Sequence, residues 1–110
     1  MNNKKTGALG EALAEIMLLE KGYRILARNF CCRYGEIDII AERGTMIAFV
    51  EVKTRLSDSF GSGAEAVTSD KRQKLKRCAM CYLAMCQKYF RTVDFQVIEI
   101  SGSHIPNLNF

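Results

Sequence analysis

Charged residues interrupt two apolar segments near the middle of the chain. The segment Ile37 to Ala41 contains Asp38, and the segment Met46 to Val52 contains Glu51 and is followed by Lys53. Two such segments separated by a short polar stretch with a glycine predict a β-hairpin. Burying an unpaired carboxylate among apolar side chains costs several kcal/mol, so the two acids need a cation, a partner residue or water. Mg²⁺ would serve, because it prefers oxygen ligands and usually takes only one or two protein carboxylates.

The hairpin register determines whether these side chains can meet. A two-residue turn at Arg43-Gly44 pairs Asp38 with Phe49 and places Asp38, Glu51 and Lys53 on one face. Glu51 is then the diagonal neighbour of Asp38, with Cβ atoms roughly 7–8 Å apart. A three-residue loop would instead put the two acids on opposite faces. We therefore predict an even-length loop and two carboxylates that converge beside Lys53.

The same three residues allow a purely structural interpretation. Asp38, Glu51 and Lys53 could form a partly exposed ion pair at the end of a sheet, which contributes little to stability. Clusters of interacting charges are often structural, so spacing alone does not separate this interpretation from a metal site.

Motifs in the chain resemble those of a known family. Asp38 followed by Glu51-Val52-Lys53 resembles the PD-(D/E)XK nuclease motif without its proline. The longer strings GEIDIIAE, from Gly35, and FVEVKTR, from Phe49, resemble the bacterial YraN-like family, also called UPF0102, which is similar to archaeal Holliday junction resolvases. Gly7-x-x-Gly10-Glu11 matches the amino-terminal motif of that family. An acid near the start of a helix is also favoured by the helix dipole alone.

The resemblance implies a Mg²⁺- or Mn²⁺-dependent endonuclease that hydrolyses DNA phosphodiester bonds, with branched or Holliday-junction DNA as a candidate substrate and a homodimer as the assembly. The catalytic residues it implies are Lys53, Glu51, Asp38 and Glu11. The metal ligands it implies are Asp38, Glu51 and the Val52 carbonyl, with Glu11 as a further candidate. The alternative is a nucleic-acid-binding module of DNA recombination or repair without efficient catalysis, which would still bind DNA after loss of Asp38 or Glu51.

Basic residues cluster at the start of a second predicted helix. Five of the seven residues from Lys71 to Arg77 are Lys or Arg, and such a run is usually a solvated helix face. Because the run follows the acid-bearing segments in the chain, it could instead hold backbone phosphates near them. Arg28 belongs to an Arg-Asn pair that also matches the family, although hydrogen bonding at a strand end would explain it equally well. The candidate nucleic-acid contacts are Arg28, Arg55, Lys71, Arg72 and Lys74.

The hydrophobic pattern predicts the order α-β-β-β-α-β. The predicted elements are a helix over Thr6–Lys21, a strand over Tyr23–Phe30, the two hairpin strands, a helix from Ser69 to about Tyr89 and a strand over Val93–Ile100. Cys31–Tyr34 and Leu56–Thr68 are predicted loops. This order favours an α/β fold with a mixed β-sheet flanked by helices, the restriction-endonuclease-like fold that the resemblance also implies.

Two apolar faces are expected to be buried. The first helix should bury a stripe formed by Leu9, Leu13, Ile16 and Met17, widened by Leu18 and Leu19. The hairpin face opposite the acids should pack under a helix, and it comprises Ile37, Ile39, Ala41, Ala48, Val50 and Val52.

The composition indicates a single domain spanning residues 1–110. The chain is 48% hydrophobic and has a formal net charge of +4, which permits a polyanionic partner without requiring one. Acids interrupt the apolar residues near the amino terminus, and no segment reaches the roughly 18 apolar residues of a membrane span. We therefore expect a soluble, cytoplasmic protein that is not associated with a membrane.

Five cysteines in a chain without an export signal predict reduced thiols. Cys78 and Cys81 form a CxxC pair inside a helical pattern. Cys31 and Cys32 are adjacent, which is a poor arrangement for two ligands of one tetrahedral ion. Buried thiols are therefore favoured over a zinc or iron–sulfur site, and a redox or metal-storage role for the cysteines is the third functional alternative.

Overall fold

The computed structural model describes residues 3–55 and 69–101, which form four strands and two helices in the predicted order. The elements are α1 (Asn3–Glu20), β1 (Arg24–Cys32), β2 (Gly35–Arg43), β3 (Met46–Arg55), α2 (Ser69–Met85) and β4 (Thr92–Ser101). The strands form one open sheet in the order β1-β2-β3-β4. Adjacent strands are antiparallel except β3 and β4, which are parallel. The predicted α/β fold with a mixed sheet is confirmed, and the predicted loop Leu56–Thr68 lies outside the described residues.

The β2–β3 turn lies one residue later than predicted. Arg43 pairs with Met46, which leaves Gly44-Thr45 as a two-residue turn. Gly44 has a φ of 61°, a left-handed conformation that glycine adopts without steric cost. The loop length is even, as predicted. The ladder between β2 and β3 ends with Ile39 opposite Val50, so Asp38 and Glu51 lie just beyond its last pair.

The sheet has a separate apolar layer on each face. The layer under α1 comprises Ala14, Leu18, Tyr23, Ile39, Ala41, Ala48 and Val50. The layer under α2 comprises Ile37, Ile40, Ile47, Phe49, Cys78 and Ala79. The prediction that Ile37 shares a face with Ile39 is therefore wrong. The alternation of side chains along β2 is interrupted at Asp38. The neighbouring strand β1 is irregular at the same place: Arg28 pairs with Ile39 and Phe30 pairs with Ile37, and Asn29 between them has a φ of 49°.

Helix α1 buries a different face from the one predicted. Gly10, Ala14 and Leu18 are buried, whereas Leu9, Ile16 and Met17, predicted to be buried, are 45%, 48% and 38% exposed. A Cβ added at Gly10 would lie 1.8 Å from Thr54 Oγ1. The helix therefore approaches β3 too closely for a larger side chain at Gly10 without rearrangement.

Two element ends also differ from prediction. Strand β1 continues to Cys32, since Cys31 and Cys32 pair with Glu36 and Gly35 of β2. Helix α2 ends at Met85, so Tyr89 lies beyond it and is 79% exposed. Over the described ranges, neither helix combines the length and the apolar character needed to cross a membrane.

Candidate functional site

Asp38 occupies the point where β2 leaves the ladder with β3. Its Oδ2 accepts a hydrogen bond from the backbone N–H of Val52 at 2.7 Å, so the side chain replaces a ladder bond. Burial raises the pKa of Asp38 from 3.8 to about 6; the Val52 hydrogen bond opposes this rise, and the negative charges of Glu51, Glu11 and Glu36 add to it. An ionised Asp38 is therefore unfavourable in the absence of a cation.

Glu51 lies on β3 between two lysines. Its Oε2 is 3.1 Å from Nζ of Lys71 and 3.9 Å from Nζ of Lys53, and the side chains of Glu51 and Lys53 are only 12% and 17% exposed. The sequence had suggested Lys71 only as a phosphate contact. The structure brings it into the acidic cluster because the first turn of α2 lies over the end of β3.

Glu11 lies at the edge of this cluster. The Gly10 contact with Thr54 holds α1 against β3, and the Glu11 carboxylate accepts a hydrogen bond from Nδ2 of Asn29 at 3.2 Å. Within residues 3–55 and 69–101, no three acidic, histidine or cysteine side chains form a ready-made metal site. The pair Asp38 and Glu51 therefore supplies the central carboxylates, and Glu11 acts on Asp38 through its charge.

The other predicted nucleic-acid contacts are dispersed. Arg28 forms two hydrogen bonds of 2.6 Å to the carboxylate of Glu15 on α1, so it joins the helix to the sheet. Lys74 pairs with Asp70 one helical turn away at 3.5 Å, with both side chains largely exposed. The side chain of Arg55 lies outside the described part of the structure. Arg72 lines a groove beside the site.

This groove was not found from the sequence. It has a volume of about 310 Å³ and lies between α2 and the sheet. Phe49 and Phe95 form one wall, with stacked rings whose centroids are 5.6 Å apart, and Val97, the ladder partner of Glu51, joins the groove to the acidic cluster. The full lining is Phe49, Arg72, Leu75, Lys76, Phe95, Gln96 and Val97. Phe95 is 43% exposed, and the alternation of side chains along β4 did not indicate this exposure.

Comparison with known proteins identifies the family. The model of the family described as "Uncharacterised protein family UPF0102" matches residues 10–100. The chain belongs to the UPF0102 family. A UPF0102 protein of Syntrophomonas wolfei is 48% identical over 98 residues, covering 89% of this chain and 85% of the relative. A UPF0102 protein of Geobacter metallireducens is 44% identical, covering 97% and 93%, and one of Thermodesulfovibrio yellowstonii is 47% identical, covering 93% and 90%.

The part of the chain shared with UPF0102 contains the whole candidate site. The matched residues 10–100 begin at the close contact of α1 with β3 and include Glu11, Asp38, Glu51 and Lys53. They also include Lys71 and the groove residues of β4. The UPF0102 names state no activity, so the function must be argued from the site itself.

Proposed function

We propose that this UPF0102 protein is a metal-dependent endonuclease that hydrolyses DNA phosphodiester bonds. The observation that carries the proposal is the half-buried Asp38, with its raised pKa, beside Glu51 and its two lysines. A carboxylate kept in such an environment is costly to the fold, and such perturbed groups concentrate at functional sites. The resemblance of Asp38 and Glu51-Val52-Lys53 to the nuclease motif supports the reaction class.

The donor set fits a hard divalent cation. Asp38 is surrounded by the charges of Glu51, Glu11 and Glu36, which a cation would neutralise, and carboxylate and carbonyl oxygens are the ligands that Mg²⁺ prefers. Asp38, Glu51 and the carbonyl of Val52 would hold Mg²⁺ or Mn²⁺, and Glu11 would add negative charge beside them rather than a ligand. Such an ion, when bound, stabilises charge on a phosphate and makes a bound water more acidic.

The lysines have separate roles in this proposal. Lys53 is largely buried beside Glu51, where its amine orients the attacking water or donates a hydrogen bond to a non-bridging phosphate oxygen. Lys71 is 40% exposed and pairs with Glu51. If Glu51 bound a cation instead, Lys71 would be able to contact a phosphate at the rim of the site.

The groove supports a nucleic-acid substrate. Arg72 and Lys76 stand on its rim and Phe95 forms its wall, which combines positive charge for phosphates with an aromatic face on which a base can stack. Stacking requires an unpaired or distorted nucleotide, so branched DNA is the favoured substrate class. A homodimer would present two such sites to the paired strands of a junction.

A nucleic-acid-binding module without efficient catalysis is the second candidate. The ion pair between Lys71 and Glu51 favours it, because a carboxylate already paired with an ammonium binds a cation less strongly. In this case Asp38 and Glu51 would set the structure of the site, and DNA binding would survive their replacement.

Cleavage of end-labelled linear, flapped and four-way-junction DNA tests the proposal. The wild type is compared with Asp38→Asn and Lys53→Ala in Mg²⁺, in Mn²⁺ and in EDTA, and Lys21→Ala serves as a control for an exposed lysine beside Arg43, next to the β2–β3 turn. We expect metal-dependent cleavage by the wild type and by Lys21→Ala, with losses of at least a hundredfold in the other two variants. Absence of cleavage of every substrate, with DNA binding unchanged in the variants, would establish the binding module instead.

A further inference from the structure

Cysteine thiols of β1 and α2 meet in the apolar layer under α2, and none of them belongs to the acidic cluster. Cys32 ends β1, whereas Cys78 and Cys81 lie one turn apart on α2. The sulfur atoms of Cys32 and Cys78 are 2.6 Å apart, little more than the disulfide bond length of about 2.05 Å. Cys81 also hydrogen-bonds to Cys32.

The surroundings distinguish the three thiols chemically. The backbone N–H of Tyr34 donates to Sγ of Cys32 at 3.3 Å. Burial raises the pKa of Cys32, but hydrogen bonds from Cys78, from the backbone of Tyr34 and Gly35 and from Cys81 outweigh burial and hold the pKa below its ordinary value. Burial and the contact with Cys32 raise the pKa of Cys78 to about 12. Cys32, which accepts the Tyr34 N–H and is the more exposed of the two, is thus the favoured thiolate, and either sulfur can be the donor in its contact with Cys78.

Access to the pair is from one side. Cys78 is fully buried, whereas Cys32 is partly exposed. A small oxidant can therefore reach Cys32 first. The described residues contain no group of three acid, histidine or cysteine side chains arranged to hold a metal, so these thiols do not form a preset metal site, and their close contact is better suited to a covalent bond.

We propose that Cys32 and Cys78 are a peroxide-reactive dithiol that forms a reversible intramolecular disulfide. The Cys32 thiolate attacks one oxygen of hydrogen peroxide, the O–O bond breaks, and the released hydroxide takes a proton to become water, which leaves a sulfenic acid on Cys32. The Cys78 sulfur then attacks the Cys32 sulfur, and the sulfenic hydroxyl leaves with the Cys78 proton as a second water. Two thiols are oxidised and one peroxide is reduced. A dithiol such as thioredoxin reverses the step by exchange.

The disulfide would join β1 covalently to the middle of α2. It requires little movement of the sulfur atoms. Gly35 lies beside the pair, and a Cβ added there would make an ordinary van der Waals contact of 3.9 Å with the Cys78 sulfur. The reaction depends on neither the metal nor Asp38, so its test is independent of the test of the nuclease proposal.

Thiol counting after stoichiometric hydrogen peroxide tests the assignment. Folded protein is oxidised, quenched, denatured and labelled with a maleimide, and the number of labels is read from the intact mass. We expect the wild type and the control Cys86→Ser to lose two thiols without forming covalent dimers and to regain them with dithiothreitol. Cys32→Ser should lose none, and Cys78→Ser should form a disulfide at least tenfold more slowly than the wild type, with a dimedone-reactive sulfenic acid on Cys32.

A triple variant keeps the test valid even if Cys32→Ser or Cys78→Ser fails to fold. Cys31→Ser, Cys81→Ser and Cys86→Ser combined leave only Cys32 and Cys78, and this protein should still form one intramolecular disulfide. Failure of the folded triple variant to do so, formation of a disulfide by Cys78→Ser at the wild-type rate, or formation of intermolecular disulfides alone would overturn the assignment.

Discussion

Replacing Asp38 by Asn should stabilise the metal-free protein near neutral pH. The pKa of Asp38 is raised in the folded protein, from 3.8 to about 6, so the folded state binds the proton more tightly than the unfolded chain does. Stability therefore falls as the pH rises from about 4 to about 6, and the loss persists above that range. The Asn side chain removes the charge but keeps an oxygen that can accept from the Val52 N–H.

The size of the effect follows from the shift in pKa. At about 1.36 kcal/mol for each pKa unit, the difference between 3.8 and about 6 corresponds to an upper limit of roughly 3 kcal/mol. Asp38 is only half-buried, so solvent screening reduces the expected gain to about 1–2 kcal/mol near pH 7. Near pH 4 the carboxyl is protonated in the folded protein, and the gain should largely disappear.

Urea unfolding in EDTA, near pH 7 and near pH 4, measures this difference. Asp70→Asn is the matched control, because Asp70 is 81% exposed in its pair with Lys74 and its replacement should change stability by less than about 0.5 kcal/mol. A folded Asp38→Asn protein that is less stable than the wild type near pH 7, or equally changed at both pH values, would refute the reasoning. Added Mg²⁺ should raise the melting temperature of the wild type but not that of the variant.

Further substitutions test the packing, the buried acid and the groove. Gly10→Ala should destabilise the fold by about 1–3 kcal/mol in urea unfolding because its Cβ meets Thr54, whereas Gly7→Ala, with open space around it, should be neutral or slightly stabilising. Glu42→Gln should lower the free energy of unfolding by about 1–3 kcal/mol near pH 7, because hydrogen bonds from Lys88 and then Arg24 hold the pKa of this buried carboxyl below its usual value. The difference in stability between wild type and variant should shrink as the pH falls through that lowered pKa. Phe95→Ala should weaken single-stranded DNA binding about tenfold in fluorescence anisotropy, and equal binding by wild type and variant would exclude the groove as a stacking site.

The fold was predictable because its signals are local. Alternation and turn residues marked the hairpin, and a helical pattern from Ser69 onward marked α2. The turn was misplaced by one residue because Arg43-Gly44 and Gly44-Thr45 both put Gly44 in the loop, and only the strand pairing distinguishes them. The error did not separate the acids, since both turns have two residues and preserve which side chains share a face.

The details of packing were less accessible to sequence reasoning. Bulky residues such as Leu9 and Ile16 indicated the wrong buried face of α1, because hydrophobicity favours large side chains whereas the close approach to β3 requires Gly10. Similarly, Lys71 was recognised as basic, but its position over Glu51 depends on how α2 crosses the sheet. The meeting of Cys32 with Cys78 is equally non-local, since neither spacing nor composition relates a strand end to a distant helix.

The hydrogen bond from Val52 to Asp38 makes one backbone amide a reporter on the site. The amide proton of Val52 is bound by a carboxylate rather than by a neighbouring strand, so its chemical shift should follow the ionisation of Asp38, with a midpoint near pH 6. The same resonance should respond to any cation that displaces the proton from Asp38. An NMR titration of this single amide could therefore follow events at the site without DNA, turnover or an added probe.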